Sequence, residues 1–206
     1  MDCAGNKTGE VIARDDAHAS GVWHGAFHCL IVYERDNRGY ALFQKRSANK
    51  KIAPGKFDVS VGGHYSAGED ARVAGPREIR EELGLDVRFE DLAPVGKRVF
   101  VYCFSPGIIE HEFQDVFLLP MSARPEELRL QPEEVDAVFE LLVEEGLRLF
   151  SGRAETVRGR LCGRNIVETY ETVSVHDFVP NFDNYYLKLL LLARRYFEGE
   201  REMLVV

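Results

Sequence analysis

The chain has 206 residues, 45% hydrophobic and 29% charged, which suits one globular domain with a sizeable core. A net charge of -8 argues against a general nucleic-acid or anionic-membrane surface. The four cysteines (Cys3, Cys29, Cys103, Cys162) are widely spaced, so neither a disulfide framework nor a zinc site is signalled. No stretch resembles a signal peptide or reaches membrane-spanning length, and the expectation is a protein of a reducing cytoplasm.

In chain order, residues 1–20 are polar and read as an N-terminal extension with a short strand or an irregular start. His28–Tyr33 predicts a strand, Asp36-Asn37-Arg38-Gly39 a turn and Tyr40–Gln44 its hairpin partner. Lys45–Lys56 is a basic loop ending in Pro54-Gly55, and Phe57–Val61 is strand-like and runs into Gly62-Gly63. An acidic helix follows, and Gly84 stands where a helix-ending glycine belongs. Further strands are expected at Asp86–Phe89, Lys97–Phe104, Glu110–Leu119 and Glu134–Leu141, with a short helix at Val143–Phe150. Ser151–Gly163 reads as a surface loop. Tyr186, Leu189, Leu190, Ala193 and Phe197 recur at helical spacing within Phe182–Phe197, which predicts a terminal amphipathic helix. Neither repeats nor a second domain are visible, so 1–206 reads as one domain whose last part, 151–206, is a loop and a helix.

The acidic helix carries the chemistry. Glu78, Glu81 and Glu82 stand at i, i+3 and i+4 and share a face, where like charges cost a few tenths of a kcal/mol per pair. A bland surface helix would interleave lysines, and none is present. Oxygen ligation of a hard divalent cation turns the repulsion into coordination. The preceding glycines place a bend or a close backbone approach beside this face. The missing Gly-Lys-Ser/Thr excludes a P-loop. Gly75-Pro76 is expected to distort the helix near its middle or shorten its start.

Gly63, Glu69, Arg77-Glu78-Ile79, Glu81-Glu82 and Gly84-Leu85, at their spacing in this chain, resemble a complete Nudix box. The resemblance implies an α/β fold, an α/β/α sandwich with a mixed central sheet and a C-terminal helix. It also implies a Mg2+- or Mn2+-dependent hydrolase that cleaves a diphosphate linkage in a small molecule, either nucleoside-diphosphate-linked or another organic diphosphate. On that reading Glu78, Glu81 and Glu82 hold metal against the diphosphate, Gly63 contributes its carbonyl, and Arg77 pairs with Glu69 to brace the loop. The general base is Glu81 or Glu82, or a later-loop glutamate such as Glu134. The other reading of Glu134 is an exposed acidic turn.

A second resemblance covers roughly residues 18–140. Trp23-His24, His28, Gln44-Lys45-Arg46-Ser47 and Pro54 through His64 are similar to the Nudix branch around isopentenyl-diphosphate isomerase. It implies a second metal bound by His18, His24, His64, Glu110 and Glu112, a donor set suited to a transition metal such as Mn2+ or Zn2+. It also places Arg46 and Lys50 at the diphosphate. The competing readings are a solvated strand end for Glu110-His111-Glu112 and a solubilising loop for the basic run. Where the isomerase has its catalytic cysteine this chain has Gly62, which cannot move a proton, so hydrolysis is favoured over isomerisation. A non-catalytic nucleotide- or sugar-sensing module is the remaining alternative. His28, His111 and His176 read as core or surface residues. Trp23, Phe57 and Tyr65 either stack a base or fill the core, with filling favoured for Phe57. Phe178–Tyr186 is open between a lid and a homodimer contact.

Overall fold

The computed structural model describes residues 1–122, 124–163, 165–201 and 205. Among these, nine strands build one sheet: β1 (His24–Arg35), β2 (Arg38–Arg46), β3 (Phe57–Asp58), β4 (Val61–His64), β5 (Ala93–Ser105), β6 (Ile108–Pro120), β7 (Val135–Leu142), β8 (Val157–Cys162) and β9 (Thr169–Val173). The helices are α1 (Arg14–Ser20), α2 (Ala71–Leu83), α3 (Val143–Phe150) and α4 (Tyr185–Phe197). The order is β5-β6-β1-β2-β7-β8-β9, with β3 on β2 and β4 on β1, and the β1–β6 pair is parallel, which makes the sheet mixed.

β1 organises the sheet. It leaves a two-residue turn at Asp36 (φ 52°) and Asn37 (φ 55°), the left-handed pair a tight hairpin needs, and returns as β2. Along one edge β1 pairs first with β4 and then with β2. At the changeover the Ile31 amide donates to Ser60 Oγ at 2.7 Å, and that hydroxyl donates to the Leu42 carbonyl at 2.5 Å. A single buried serine thus satisfies the backbone groups that the change of partner would orphan.

Side chains alternate across this sheet and build two cores. Phe27, Cys29 and Ile31 face α2, whose Ile79 and Leu83 are fully buried against them. Leu30, Val32, Phe43 and Phe139 face the other layer, Leu147 of α3 and Leu189, Leu190 and Ala193 of α4. The result is the expected α/β/α sandwich. The α2 helix starts at Asp70, whose carboxylate accepts from Arg72 N (3.0 Å) and Val73 N (3.3 Å), and ends at Gly84 with φ 67°.

Several expectations are corrected. Helix α2 continues through Pro76, which stands in its second turn and forfeits one backbone bond, against the burial of Ile79 and Leu83, each worth about 1.5–3 kcal/mol. Gly75 is there for packing, since a Cβ would lie 2.7 Å from the Phe27 ring. Residues 14–20 form a helix rather than a strand or irregular start, and 86–89 form no strand. The expected loop 151–163 contains β8, and β9 follows it, because Gly159 lets β8 lie flat against Phe139, with a Cβ only 2.3 Å from that ring.

Beyond α2, the Glu140 carboxylate gathers the Tyr33 hydroxyl, Arg35 (2.9 and 3.1 Å) and Arg160 (2.6 and 3.1 Å). Burial works to raise its pKa, but hydrogen bonds from Arg160, Arg35 and Tyr33 outweigh burial and hold it below the usual value. Because the folded-state value is lowered, this stabilisation is complete above about pH 4.3 and is lost as pH falls through the lowered value. Glu140→Ala is expected to cost about 1–3 kcal/mol at pH 7, because Arg160 Nε and Nη2 and the Tyr33 hydroxyl lose their acceptor while Arg160 Nη1 keeps Glu126 and Glu168. Urea unfolding across pH should show that difference shrinking in acid.

Candidate active site and metal centre

The strand register sorts the functional side chains onto two faces. His28 lies opposite Gly62, Phe27 opposite Gly63 and Ala26 opposite His64 across β1–β4, while His24 lies opposite Glu112 across β1–β6. Residues opposite one another share a face. His24, His64, Glu110 and Glu112 therefore project to the α3/α4 side, and Gly63 turns its bare face to α2.

On the α2 side, Gly63 is a requirement. A Cβ there would sit 2.1 Å from the Glu78 carboxyl carbon, so only glycine lets that carboxylate lie on the strand. Arg77 grips Glu69 through two bonds, Nε–Oε1 at 3.1 Å and Nη2–Oε2 at 2.8 Å, and also reaches Glu78 (2.9 Å), Glu81 (3.1 Å) and the His64 carbonyl (3.4 Å). The guanidinium beside Glu69 holds that carboxyl below its usual range. Glu82 is buried, with Gln44 Nε2 at 3.4 Å, and burial, then the charges of Glu78 and Glu134, push it well above the carboxylate range. Glu78 is raised chiefly by burial. Glu81 is half exposed. Glu134 is paired with Lys50, and Arg46 with the Ile52 carbonyl (2.9 Å) and Asp58 (3.5 Å). A groove runs past Lys50, Gly62, Gly63, His64, Glu78, Glu81, Glu82 and Glu134.

On the opposite side lies the tightest donor cluster. Among the described residues, His18, His24, His64 and Glu110 form the one group whose ligand atoms all lie within 4.8 Å of one another. The three box carboxylates do not close so tightly, because Arg77 draws on Glu78 and Glu81 while Glu82 lies by Gln44. His18 arrives on α1, the helix the sequence did not reveal. Glu112 Oε1 bonds His64 Nε2 at 2.7 Å and lies 3.6 Å from His24 Nε2.

These residues fit a cation. His18 Nε2, His24 Nε2, His64 Nδ1 and Glu110 Oε2 are buried without hydrogen-bond partners, an arrangement costing about 1–3 kcal/mol per group unless something is bound. His24 Nδ1 is 2.8 Å from the Val22 carbonyl, which takes the ring proton and leaves the Nε2 lone pair facing the cluster. Burial, then the neighbouring Glu112 charge, pushes Glu110 up to about 8, and burial, then His64 and His24, pushes His18 down to about 4. A dication there would reverse the first tendency and reinforce the second, because both groups bind it deprotonated.

The remaining aromatic and histidine candidates have neighbours in the fold, and Trp23 and Tyr65 also line the groove. Trp23 stacks on His111 at 4.9 Å and packs on Phe113, His111 Nδ1 bonds the Gly21 carbonyl at 2.7 Å, and Tyr65 donates to Asp115 at 2.7 Å. Phe57 is buried against Phe139, and His176 is exposed. His28 is different: it lines a cavity with Arg46, Arg98, Phe100 and Asn181, and its Nδ1 is 3.1 Å from Tyr185 OH. Sequence reasoning passed over Arg98 and Gln114. The signal for Gln114 was the alternation of Glu110, Glu112 and Gln114 on one face of β6, and Arg98 on β5 lies opposite Gln114.

Residues 22–158 match the family profile described as a NUDIX domain. The chain is 32% identical over 187 residues, 88% of each protein, to an uncharacterised Nudix hydrolase of Clostridium acetobutylicum. It is 33% identical over 103 residues to isopentenyl-diphosphate Delta-isomerase 2 of Photorhabdus laumondii, spanning 50% of this chain and 55% of that protein. Among solved structures, a MutT/nudix family protein from Enterococcus faecalis superposes with a TM-score of 0.56 at 12% identity, over 88% of this chain and 65% of that one, a likeness of fold. No helix among the described residues is long and apolar enough to cross a membrane.

The two glycines are expected to respond differently to a methyl group. Gly63→Ala should displace Glu78 and lower the thermal midpoint, at about 1–3 kcal/mol for overpacking. In Gly62→Ala the new Cβ meets nothing closer than the His28 ring at 3.4 Å, so the midpoint should hold. Calorimetry of the two proteins side by side checks the contrast.

Proposed function

This chain belongs to the Nudix family and is an enzyme of its hydrolase kind, acting on phosphoric anhydrides, and from that premise we propose that it cleaves a diphosphate linkage in a small organic diphosphate with Mg2+ or Mn2+ at Glu78, Glu81 and Glu82. The observation that carries the reading is the set of box carboxylates along one groove, with Gly63 cut back to admit Glu78. A divalent ion held there offsets charge on the phosphate oxygens and acidifies water.

The chain's own residues do the rest. Arg77, tied to Glu69, keeps the loop and the first turns of the helix at fixed separation. The Gly63 carbonyl adds an oxygen ligand. Arg46 and Lys50 neutralise phosphate oxygens as fork and point donors respectively. Lys50 is paired with Glu134 in the free protein, so an arriving phosphate that draws Lys50 away also frees Glu134. The proton of the attacking water then passes to Glu81 or Glu82, or to the released Glu134. His18, His24, His64, Glu110 and Glu112 would hold the second ion, of transition-metal type. The groove admits a small molecule, and nothing in the charge of -8 favours nucleic acid as substrate.

Isomerisation is the second reading, favoured by the histidine cluster and opposed by Gly62, which leaves no proton-moving side chain at that point of β4. A sensing module is disfavoured because every box carboxylate is present.

A phosphate-release screen over nucleotide, sugar and prenyl diphosphates in Mg2+ or Mn2+ should find a turned-over substrate, with Glu82→Gln slower by about 10²–10⁴-fold. Tight binding without product in either metal would leave the sensing reading, and proton exchange into isopentenyl diphosphate would leave the isomerase.

A further inference from the structure

A line of hydrogen bonds runs from the start of the C-terminal helix to the histidine cluster. Asp183 clamps Arg98 through two bonds, at 2.8 Å to Nε and 2.9 Å to Nη2. Arg98 Nη1 donates to Gln114 Oε1 at 2.9 Å, Gln114 Nε2 donates to Glu112 Oε2 at 2.5 Å, and Glu112 Oε1 meets His64 Nε2 at 2.7 Å. Arg98, Gln114 and Glu112 are all buried.

The chemistry of the partners leaves this line one orientation. A guanidinium only donates and an ionised carboxylate only accepts. Gln114, set between them, must offer its carbonyl oxygen to Arg98 and its amide to Glu112. The amide then fixes Glu112 Oε2 and leaves Oε1 turned toward His64 and His24. Arg98 is itself held on three sides, by Asp183, by the Tyr185 ring at 3.9 Å and by the Phe100 ring at 4.7 Å. Asp183 and Tyr185 both belong to the stretch at the start of α4, and Val179, Pro180, Asn181 and Tyr186 from the same stretch line the cavity beside the cluster.

We propose that Gln114, Arg98 and Asp183 are positioning residues for the histidine–glutamate centre, so that the C-terminal arm is a working part of that site. The proposal rests on the reading that a metal binds at His18, His24, His64, Glu110 and Glu112. None of the three touches the ion. They act by holding Glu112 in the one rotamer that presents Oε1, which removes the entropy cost of ordering that carboxylate when the ion arrives.

The test uses the full-length protein stripped of metal and titrated with Co2+ alone, following visible absorption and calorimetric affinity. Gln114→Met, which keeps the volume and deletes the amide, should bind about 10–100-fold more weakly with an altered spectrum. Asp183→Asn, at a partly exposed position, keeps the shape and should shift in the same direction by less. Should Gln114→Met fail to fold, Asp183→Asn carries the test. Wild-type affinity and spectrum in both variants, while His64→Ala loses the histidine-type absorption, would overturn the positioning role and leave the metal reading standing. A Co2+ spectrum unchanged by His64→Ala sinks the metal reading and the relay with it. An Asp183→Asn protein that loses thermal stability but binds Co2+ like the wild type makes the clamp a structural brace only.

Discussion

The register of β1 between β4 and β6 is the constraint on which the site depends. Placing His24 opposite Glu112 and Ala26 opposite His64 puts the imidazoles and carboxylates on one face, and placing Phe27 opposite Gly63 puts the glycine on the other, against Glu78. A slip of one residue would exchange the faces and scatter both donor sets. Hydrophobicity alone does not protect this register, because Phe27, Leu30, Ile31 and Val32 are all fully buried, on both sides of the strand. Local chemistry fixes the neighbouring pairing: the left-handed Asp36-Asn37 turn sets β1 against β2, and the Ser60 hydroxyl ties the entry to β4 to Ile31 and Leu42.

The two donor sets are built in different ways. The box carboxylates come from one helix, and their neighbour Arg77 satisfies Glu69, Glu78 and Glu81 in the absence of any ion. That side is electrostatically closed until a stronger cation competes. The histidine cluster comes from α1, β1, β4 and β6, and several of its ring nitrogens and one carboxylate oxygen are orphaned. Buried polar atoms without partners are costly, which is what makes this cluster the candidate for an ion. The contrast explains why the geometrically tightest site is not the one with the most conspicuous sequence signature.

Gly62 and Gly63 are adjacent and do opposite work. Gly63 is excluded volume on the α2 side, while Gly62 leaves space on the far side beside His28, within reach of a cavity that carries Arg46 and Arg98. Similarity to an isomerase over half the chain therefore coexists with a strand that lacks a proton-moving side chain at that point. One scaffold hosting different reactions through single positions is what fold-level likeness leads one to expect.

The sequence by itself determined the box and the shared face of its carboxylates, since Glu78, Glu81 and Glu82 lie within two turns of one helix and local periodicity places them. It also determined the hairpin at Asp36-Asn37 and the terminal helix, because turn residues and apolar periods are local signals, while the sandwich followed from the resemblance. It nominated His18, His24, His64, Glu110 and Glu112 only through resemblance, for nothing local says that residues 92 positions apart in the chain, such as His18 and Glu110, should meet. Helix α1 was hidden because seven residues, five of them polar, carry too little periodicity to stand out. Strand β8 was hidden by its glycine and arginines, of which Gly159 and Arg160 find their places against Phe139 and Glu140 only after the sheet exists. Which face each donor takes, and the line from Asp183 to Glu112, were decided by tertiary structure alone, because strand pairing and cross-strand hydrogen bonds join residues that the chain keeps far apart.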